Sequence, residues 1–374
     1  MKIALITNLI PPYRQHSHTI LAQMVQATGG DFCIIRTHKT EPQRNWPQQT
    51  GPFSQIILPG IRWALSENRA IAITSSPVVH LAQFKPDIVI LAGFGLAMWQ
   101  AHRWCRAHNI PYIIRFDGWA QSDAVFKNRL RAKMRGIMIR HATAAIAASH
   151  PGKQWFLAHG MAVEKISLVP IAPSFAPLPG TALPKFAQRH YDLLWCGRPT
   201  EPKGFAHFLA IAATLYRQGA ISRICIAGVP TKDTATFTKK LARAGLCDIT
   251  TILPPMAPHR LPAIYASARL FLLPSLGDAY GVAVIEAISC RTLVVASDKV
   301  GVAHDVLVAG ETMLPLPLPF APPGVKGWLT AIKRLLADPA YCDRHLNLQN
   351  HAILNVSPQQ IARQTWNACR DALG

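Results

Sequence analysis

Residues 270–297 read LFLLPSLGDAYGVAVIEAISCRTLVVAS. Leu270–Leu273 is an apolar run too short for a helix and closed by Pro274, so it reads as a buried strand. A loop carrying Gly277 and Asp278 follows, then a helix that holds Glu286 about one turn in. Leu293–Ala296, rich in valine, is a second buried strand. Strand, loop, helix and strand at this spacing make a parallel α/β unit, with strands apolar throughout because helices cover both faces.

The same alternation extends upstream through Tyr191–Cys196, Arg223–Ala227 and Ile249–Leu253. It breaks at Pro170–Pro184 (PIAPSFAPLPGTALP), where five prolines and a glycine suit neither a helix nor a central strand. Before that break it resumes in Lys2–Thr7, Asp31–Arg36, Asp87–Leu91, Tyr112–Arg115 and, more weakly, Ala144–Ala147, with helices expected at Ser17–Ala27 and Met98–His108. The reading is an α/β protein of two Rossmann-like doubly wound domains. They occupy residues 1–172 and 188–356, joined by a proline-rich hinge at 173–187. A final helix over 357–374 opens with Ser357 as N-cap and Pro358 at its first position, and packs either on its own domain or back on the first one.

Half of the 374 residues are apolar and 16% are charged, which excludes a disordered chain. The net charge is +20, with 19 Lys and Arg against 7 Asp and Glu over residues 1–180. Nucleic acid, an anionic membrane surface or a phosphorylated substrate each accounts for such an excess. Eight scattered cysteines without a C-x-x-C pair speak against zinc ribbons and disulfide frameworks and for reduced thiols in a cytoplasmic compartment. The apolar stretch Asp87–Ala101 is too short to cross a bilayer, and the N-terminal run is too short for a secretory signal.

Two segments concentrate chemistry. Cys196–Gly204 (CGRPTEPKG) follows a strand, at the end of the sheet where open α/β folds bind ligands. Gly197 permits close backbone approach, while Arg198 supplies a planar fork and Lys203 a mobile point charge, a combination suited to a diphosphate. The second segment, Pro274–Ala287, sets Asp278 on a loop and Glu286 on the next helix, with Gly281 allowing backbone N–H groups at the helix start to face a ligand. Carboxylates there suit the hydroxyls of a sugar. Taken alone, each segment reads equally as a solvated loop with ordinary charged residues.

Together, CGRPTEPKG resembles the R-x4-K motif, and PSLGDAYGVAVIEA the E-x7-E signature, of retaining GT-B glycosyltransferases of family 4 (glycosyl transferases group 1). Asn8–Arg14 (NLIPPYR) is similar to the first-strand loop of one branch, and Ser149–Pro170 and Val300–Leu314 fit the family's order, so the likeness covers nearly the whole chain. The resemblance implies a nucleoside-diphosphate sugar, carrying UDP or GDP, held by the second domain. It implies a glycan or polyprenyl-diphosphate-linked acceptor held by the first, no cofactor, and transfer of a hexosyl group with retention in cell-surface polysaccharide biosynthesis. Arg198 and Lys203 would hold the diphosphate, Asp278 the donor sugar and Glu286 the ribose, with Gly197, Ala279, Tyr280 and Gly281 lining the donor. Tyr13, Arg14 and Asp117 are the acceptor-side residues, and Asp117 joins Arg198, Lys203 and Asp278 in the catalytic set.

The chain departs from the family pattern in three places. Its first acid is Asp rather than Glu, one methylene shorter; Pro11-Pro12-Tyr13-Arg14 stands where many relatives carry a Gly-Gly pair; and Arg115-Phe116-Asp117-Gly118 stands where many have a histidine. No D-x-D motif or tight cluster of His, Asp and Glu suggests a metal site, and His16 and His18, flanking the first helix, are expected at its start or facing solvent. Phe126–His141 reads as a basic amphipathic helix, with Phe126, Leu130, Met134, Ile137, Met138 and His141 on one face. Such a helix is suited to an anionic inner membrane leaflet, or to solvent with its apolar side in the core. A nucleotide-sugar epimerase of the same fold remains a second reading. A basic RNA-binding protein is a third, against which no RNA-recognition aromatic motif appears.

Overall fold

The computed structural model describes residues 1–39, 50–66, 69–124, 129–176, 183–316 and 322–374. The chain forms two compact units, Met1–Ala172 with Val356–Gly374, and Pro173–Asn355. Residues 177–182 of the expected hinge lie outside the described residues.

The first unit is built on β1 (Lys2–Thr7), β2 (Asp31–Arg36), β3 (Ser54–Ile57), β6 (Ile88–Ala92), β7 (Tyr112–Phe116), β8 (Ala144–Ala147) and β9 (Ile166–Leu168), with β4 (Gly60–Ser66) and β5 (Arg69–Thr74) forming a separate antiparallel hairpin. The sheet is parallel in the order β3-β2-β1-β6-β7-β8-β9. Its strands alternate between two apolar clusters, as the two-residue strand period requires. Ala4 and Ile6 pack with Met98 and Ala101 of helix Leu96–Ala107; Ile3 and Leu5 pack with Leu21 and Val25 of helix Pro12–Ala27 and with Ile361 and Ala368 of helix Pro358–Asp371. The last helix thus belongs to the first unit. The Ser357 hydroxyl caps it by accepting from the Gln360 N–H at 3.2 Å.

The second unit repeats the design in a parallel sheet ordered β12-β11-β10-β13-β14-β15, from β10 (Tyr191–Cys196), β11 (Ile224–Ala227), β12 (Thr250–Leu253), β13 (Ala268–Leu273), β14 (Leu293–Ser297) and β15 (Met313–Leu314). Leu193 and Trp195 of its central strand pack with Phe208, Ile211, Trp328 and Ile332. The strand order reverses between β10 and β13, and in the first unit between β1 and β6. Crossover connections leave a crevice at the carboxyl ends of the strands at such a point.

Three expectations need correction. The first helix begins at Pro12, not Ser17, because a proline is at ease at a first helical position, where its missing N–H has no partner to lose. His18 is consequently interior to the helix and buried, its ring edge-on to Phe32 and Phe53; His16 is exposed as expected. The basic helix, Arg129–His141 in the described part, buries Met138 and Ile139 but leaves Leu130 68% exposed, so its apolar face is narrower than the spacing suggested. Phe126 lies outside the described residues. The β4–β5 hairpin carries no counterpart in the sequence reading.

Candidate functional site

In the second unit the two chemistry-bearing loops follow β10 and β13, the strands on either side of the reversal. Gly197 leaves β10 with φ +153° and its N–H donates to the Ala227 carbonyl at 3.0 Å. Arg198 stands next on this loop, half-buried. A three-residue 3-10 turn, Glu201–Lys203, then brings the chain to Gly204, whose φ of +66° and position leave no room for a side chain: a Cβ there would lie 1.7 Å from the Pro274 carbonyl oxygen. That close approach lets the Pro202 carbonyl accept from the Ser275 hydroxyl at 2.7 Å and the Leu276 N–H at 2.9 Å. The loops are therefore stitched together, and Lys203 Nζ forms an ion pair with Asp278 Oδ2 across the seam.

Asp278 is further fixed from behind. Its N–H donates to the Lys299 carbonyl at 2.9 Å, its carbonyl accepts from Gly301 at 3.2 Å, and the Tyr280 carbonyl accepts from Val302 at 2.8 Å. Gly281 starts helix Val282–Ser289 at φ +97°, where a Cβ would meet Val300 at 2.4 Å. Ala279 is exposed beside it, whereas Tyr280 is buried. No side chain caps this helix; the Val284 N–H donates to the Gly281 carbonyl at 2.9 Å, and the helix start is a place where an anion is favoured.

Glu286, the fifth residue of that helix, points inward and is only 7% exposed. One carboxylate oxygen accepts from the Ser174 hydroxyl and, at 3.3 Å, from the Ser174 N–H; the other accepts from the Tyr265 hydroxyl at 3.0 Å. Burial raises its pKa, and the bonds from Ser174 and Tyr265 oppose that rise. Neither partner was singled out in the sequence reading. Tyr265 lies 21 residues before Glu286 without a spacing that signals contact, and Ser174 is one of two hydroxyl residues in a proline-rich run.

Two of the residues expected on the acceptor side also meet in the first unit, though not on the loop expected. Tyr13 and Arg14 lie in the first turn of helix Pro12–Ala27. Arg14 Nη2 reaches Asp117 Oδ1 at 2.6 Å, the arginine side chain 6% and the aspartate 39% exposed. Arg115, 6% exposed, donates to Thr365 Oγ1 of the last helix at 2.9 Å. Its pKa falls to about 10, first through burial and then through Arg14, with Asp117 opposing. His18 is held neutral by the same burial and the same two arginines. Further along, Arg135 of the basic helix is paired with Asp123 and lies against the Trp155 ring at 5.5 Å. Arg129, Arg131 and Lys133 are exposed.

Among the described residues no group of three or more His, Cys, Asp and Glu could hold a metal ion, and no helix is long and apolar enough to cross a membrane. All eight cysteines are free thiols.

Two family models match the chain: a glycosyl transferase 4-like domain over residues 16–172, and glycosyl transferases group 1 over residues 190–338. The D-inositol 3-phosphate glycosyltransferase of Gordonia bronchialis is 36% identical over 170 residues, 43% of this chain and 34% of that protein. The alpha-D-kanosaminyltransferase of Streptomyces kanamyceticus is 29% identical over 182 residues, 48% of this chain and 44% of that protein. The chain thus spans between a third and a half of the length of these curated relatives. The fold matches that of Anabaena Alr3699/HepE, solved in complex with UDP, with a TM-score of 0.73 at 14% identity, covering 99% of this chain and 100% of that one.

Proposed function

Because the chain belongs to the glycosyl transferases group 1 family and has the GT-B fold, we propose that it transfers a hexosyl group, with retention, from a nucleoside-diphosphate sugar to a glycan or lipid-linked saccharide acceptor in cell-surface polysaccharide biosynthesis. The observation that carries this reading is the Lys203–Asp278 pair bridging the two loops at the strand-order reversal. A donor entering there meets a cation for its phosphate and a carboxylate for its sugar hydroxyls in one place. Lys203 and Arg198 then stabilise the charge that develops on the departing nucleoside diphosphate as the anomeric C–O bond breaks. The acceptor hydroxyl adds on the same face and gives its proton to the leaving phosphate oxygen. Glu286 binds the ribose, and Tyr13, Arg14 and Asp117 serve the acceptor.

UDP is the first nucleotide to test, since the Anabaena neighbour holds it. Calorimetry with UDP, GDP and ADP should give one clearly tighter ligand, lost in the Arg198→Ala/Lys203→Ala double variant. Binding that survives in that variant would remove the diphosphate assignment. NMR of the product from an acceptor assay then reads the anomeric configuration; donor consumed without any acceptor would mark an epimerase instead.

The exposed Arg129, Arg131 and Lys133 support a peripheral association with the cytoplasmic face of an anionic membrane. Neutralising these three should weaken binding to anionic vesicles roughly a hundredfold, at about 1 kcal/mol per basic residue. Arg135→Met, which removes a cation already paired with Asp123, should leave vesicle binding nearly unchanged. Equal loss in both variants would dismiss this surface.

A further inference from the structure

Glu286 is a buried carboxylate, yet among the described residues no lysine, arginine or histidine lies within ion-pair distance of it. A buried charge without a counter-ion is tolerated only when directed hydrogen bonds replace its water. Three neutral donors do so here: the Ser174 N–H, the Ser174 hydroxyl and the Tyr265 hydroxyl. Tyr265 is itself fixed. It is 1% exposed, and its ring packs on Phe175 and Phe271. Ser174 fixes the other oxygen from the segment that opens the second unit.

We propose that Tyr265 and Ser174 are positioning residues for donor binding, which hold the two oxygens of Glu286 in separate hydrogen bonds and so aim its remaining acceptor capacity at a ribose hydroxyl. This rests on the reading of Glu286 as the ribose-binding acid. An ionised carboxylate has about four acceptor sites. Three donors already occupy most of them, so orientation, rather than charge alone, decides whether a ribose hydroxyl finds an acceptor.

The arrangement has a signature in pH. The titratable groups around Glu286 are Tyr265 and the thiols of Cys196 and Cys290; Lys203 and Arg189 act on those thiols in turn. Burial pushes both thiols up to about 12 and the Tyr265 hydroxyl well above its usual value. Burial raises the Glu286 pKa as well, and its protonation removes the acceptor a ribose hydroxyl needs. Because the Ser174 and Tyr265 bonds lower its pKa, deleting either moves its protonation to higher pH.

The test is calorimetric binding of UDP, or of GDP if that is the tighter ligand, to the whole chain across the acidic and neutral range. Tyr265→Phe and Ser174→Ala should each weaken binding roughly fivefold near neutrality. Each should also move the acid-side loss of affinity to higher pH, while Ser174→Thr restores both. Ser289→Ala removes a hydroxyl bonded to the Glu286 main-chain carbonyl and should change neither. If Tyr265→Phe and Ser174→Ala bind with unchanged affinity and an unchanged acid limb, although Glu286→Gln binds weakly, the positioning role is wrong and the ribose role stands. If Glu286→Gln itself binds normally, the ribose reading falls and this inference falls with it.

Discussion

Each unit sets a cation against a carboxylate near the carboxyl end of a parallel sheet, and the two pairs divide their exposure in opposite ways. In the second unit Lys203 is 29% exposed and Asp278 14%; in the first, Arg14 is 6% exposed and Asp117 39%. Accessibility decides which partner can leave the pair for a ligand. Lys203, on a flexible stem, can swing from Asp278 to a phosphate, whereas Arg14 is walled in and only Asp117 meets solvent. The pair of the second unit is a movable cation beside a braced acid, that of the first unit an open acid on a fixed cation.

The sharpest way to break this contrast is Lys203→Ala. The pair is mostly buried and losing the lysine leaves Asp278, 14% exposed, without that partner, so stability should fall by about 2 kcal/mol and the melting temperature by only a few degrees. Transfer should nonetheless fall roughly 10²–10³-fold, the usual loss for one donor to developing charge. A large drop in melting temperature with transfer retained would make the pair structural. Gly204→Ala tests the seam that creates the pair. The left-handed φ and the clash with the Pro274 carbonyl should cost about 3 kcal/mol in denaturant unfolding and weaken nucleotide binding, whereas Gly277→Ala, with open space around it, should do neither. Equal stability of the two variants would mean the loops are not held as described.

In the first unit the asymmetry predicts the reverse of intuition. Asp117 balances Arg14 and opposes the lowering of the Arg115 pKa, so Asp117→Asn leaves buried positive charge uncompensated. That should cost about 2 kcal/mol, below the range for a fully buried pair because Asp117 is 39% exposed. Arg14→Met leaves only a carboxylate that water can reach, and its cost should be smaller. Urea denaturation of both variants reads the difference, and a larger loss in Arg14→Met would reverse the assignment of fixed and open partners.

The acid at Glu286 shows the limit of local reading. Its place eight residues after Asp278, on a helix following a loop, is legible from the chain; its inward direction is not, because only about two residues, half a helical turn, separate a solvent-facing position from a buried one. The donors that make its burial tolerable come from Ser174, 112 residues away, and Tyr265, 21 residues away. His18 carries the same lesson: moving the start of its helix from Ser17 to Pro12 turns an end position into a core one.

The sequence by itself determined the parallel α/β class, the strands of both sheets other than the edge strands β3, β9 and β15, the proline-rich break between them and the loops that hold the charged residues. These features follow from short-range properties: apolar run length, proline stereochemistry and glycine at turns. Only the tertiary structure decided which loops flank the reversals in strand order, that Gly204 lets two of them touch, that the last helix packs on the first unit, and which member of each ion pair stays open to solvent. Those outcomes depend on strand order and close approach between segments tens to hundreds of residues apart, which hydrophobic periodicity along one segment does not encode.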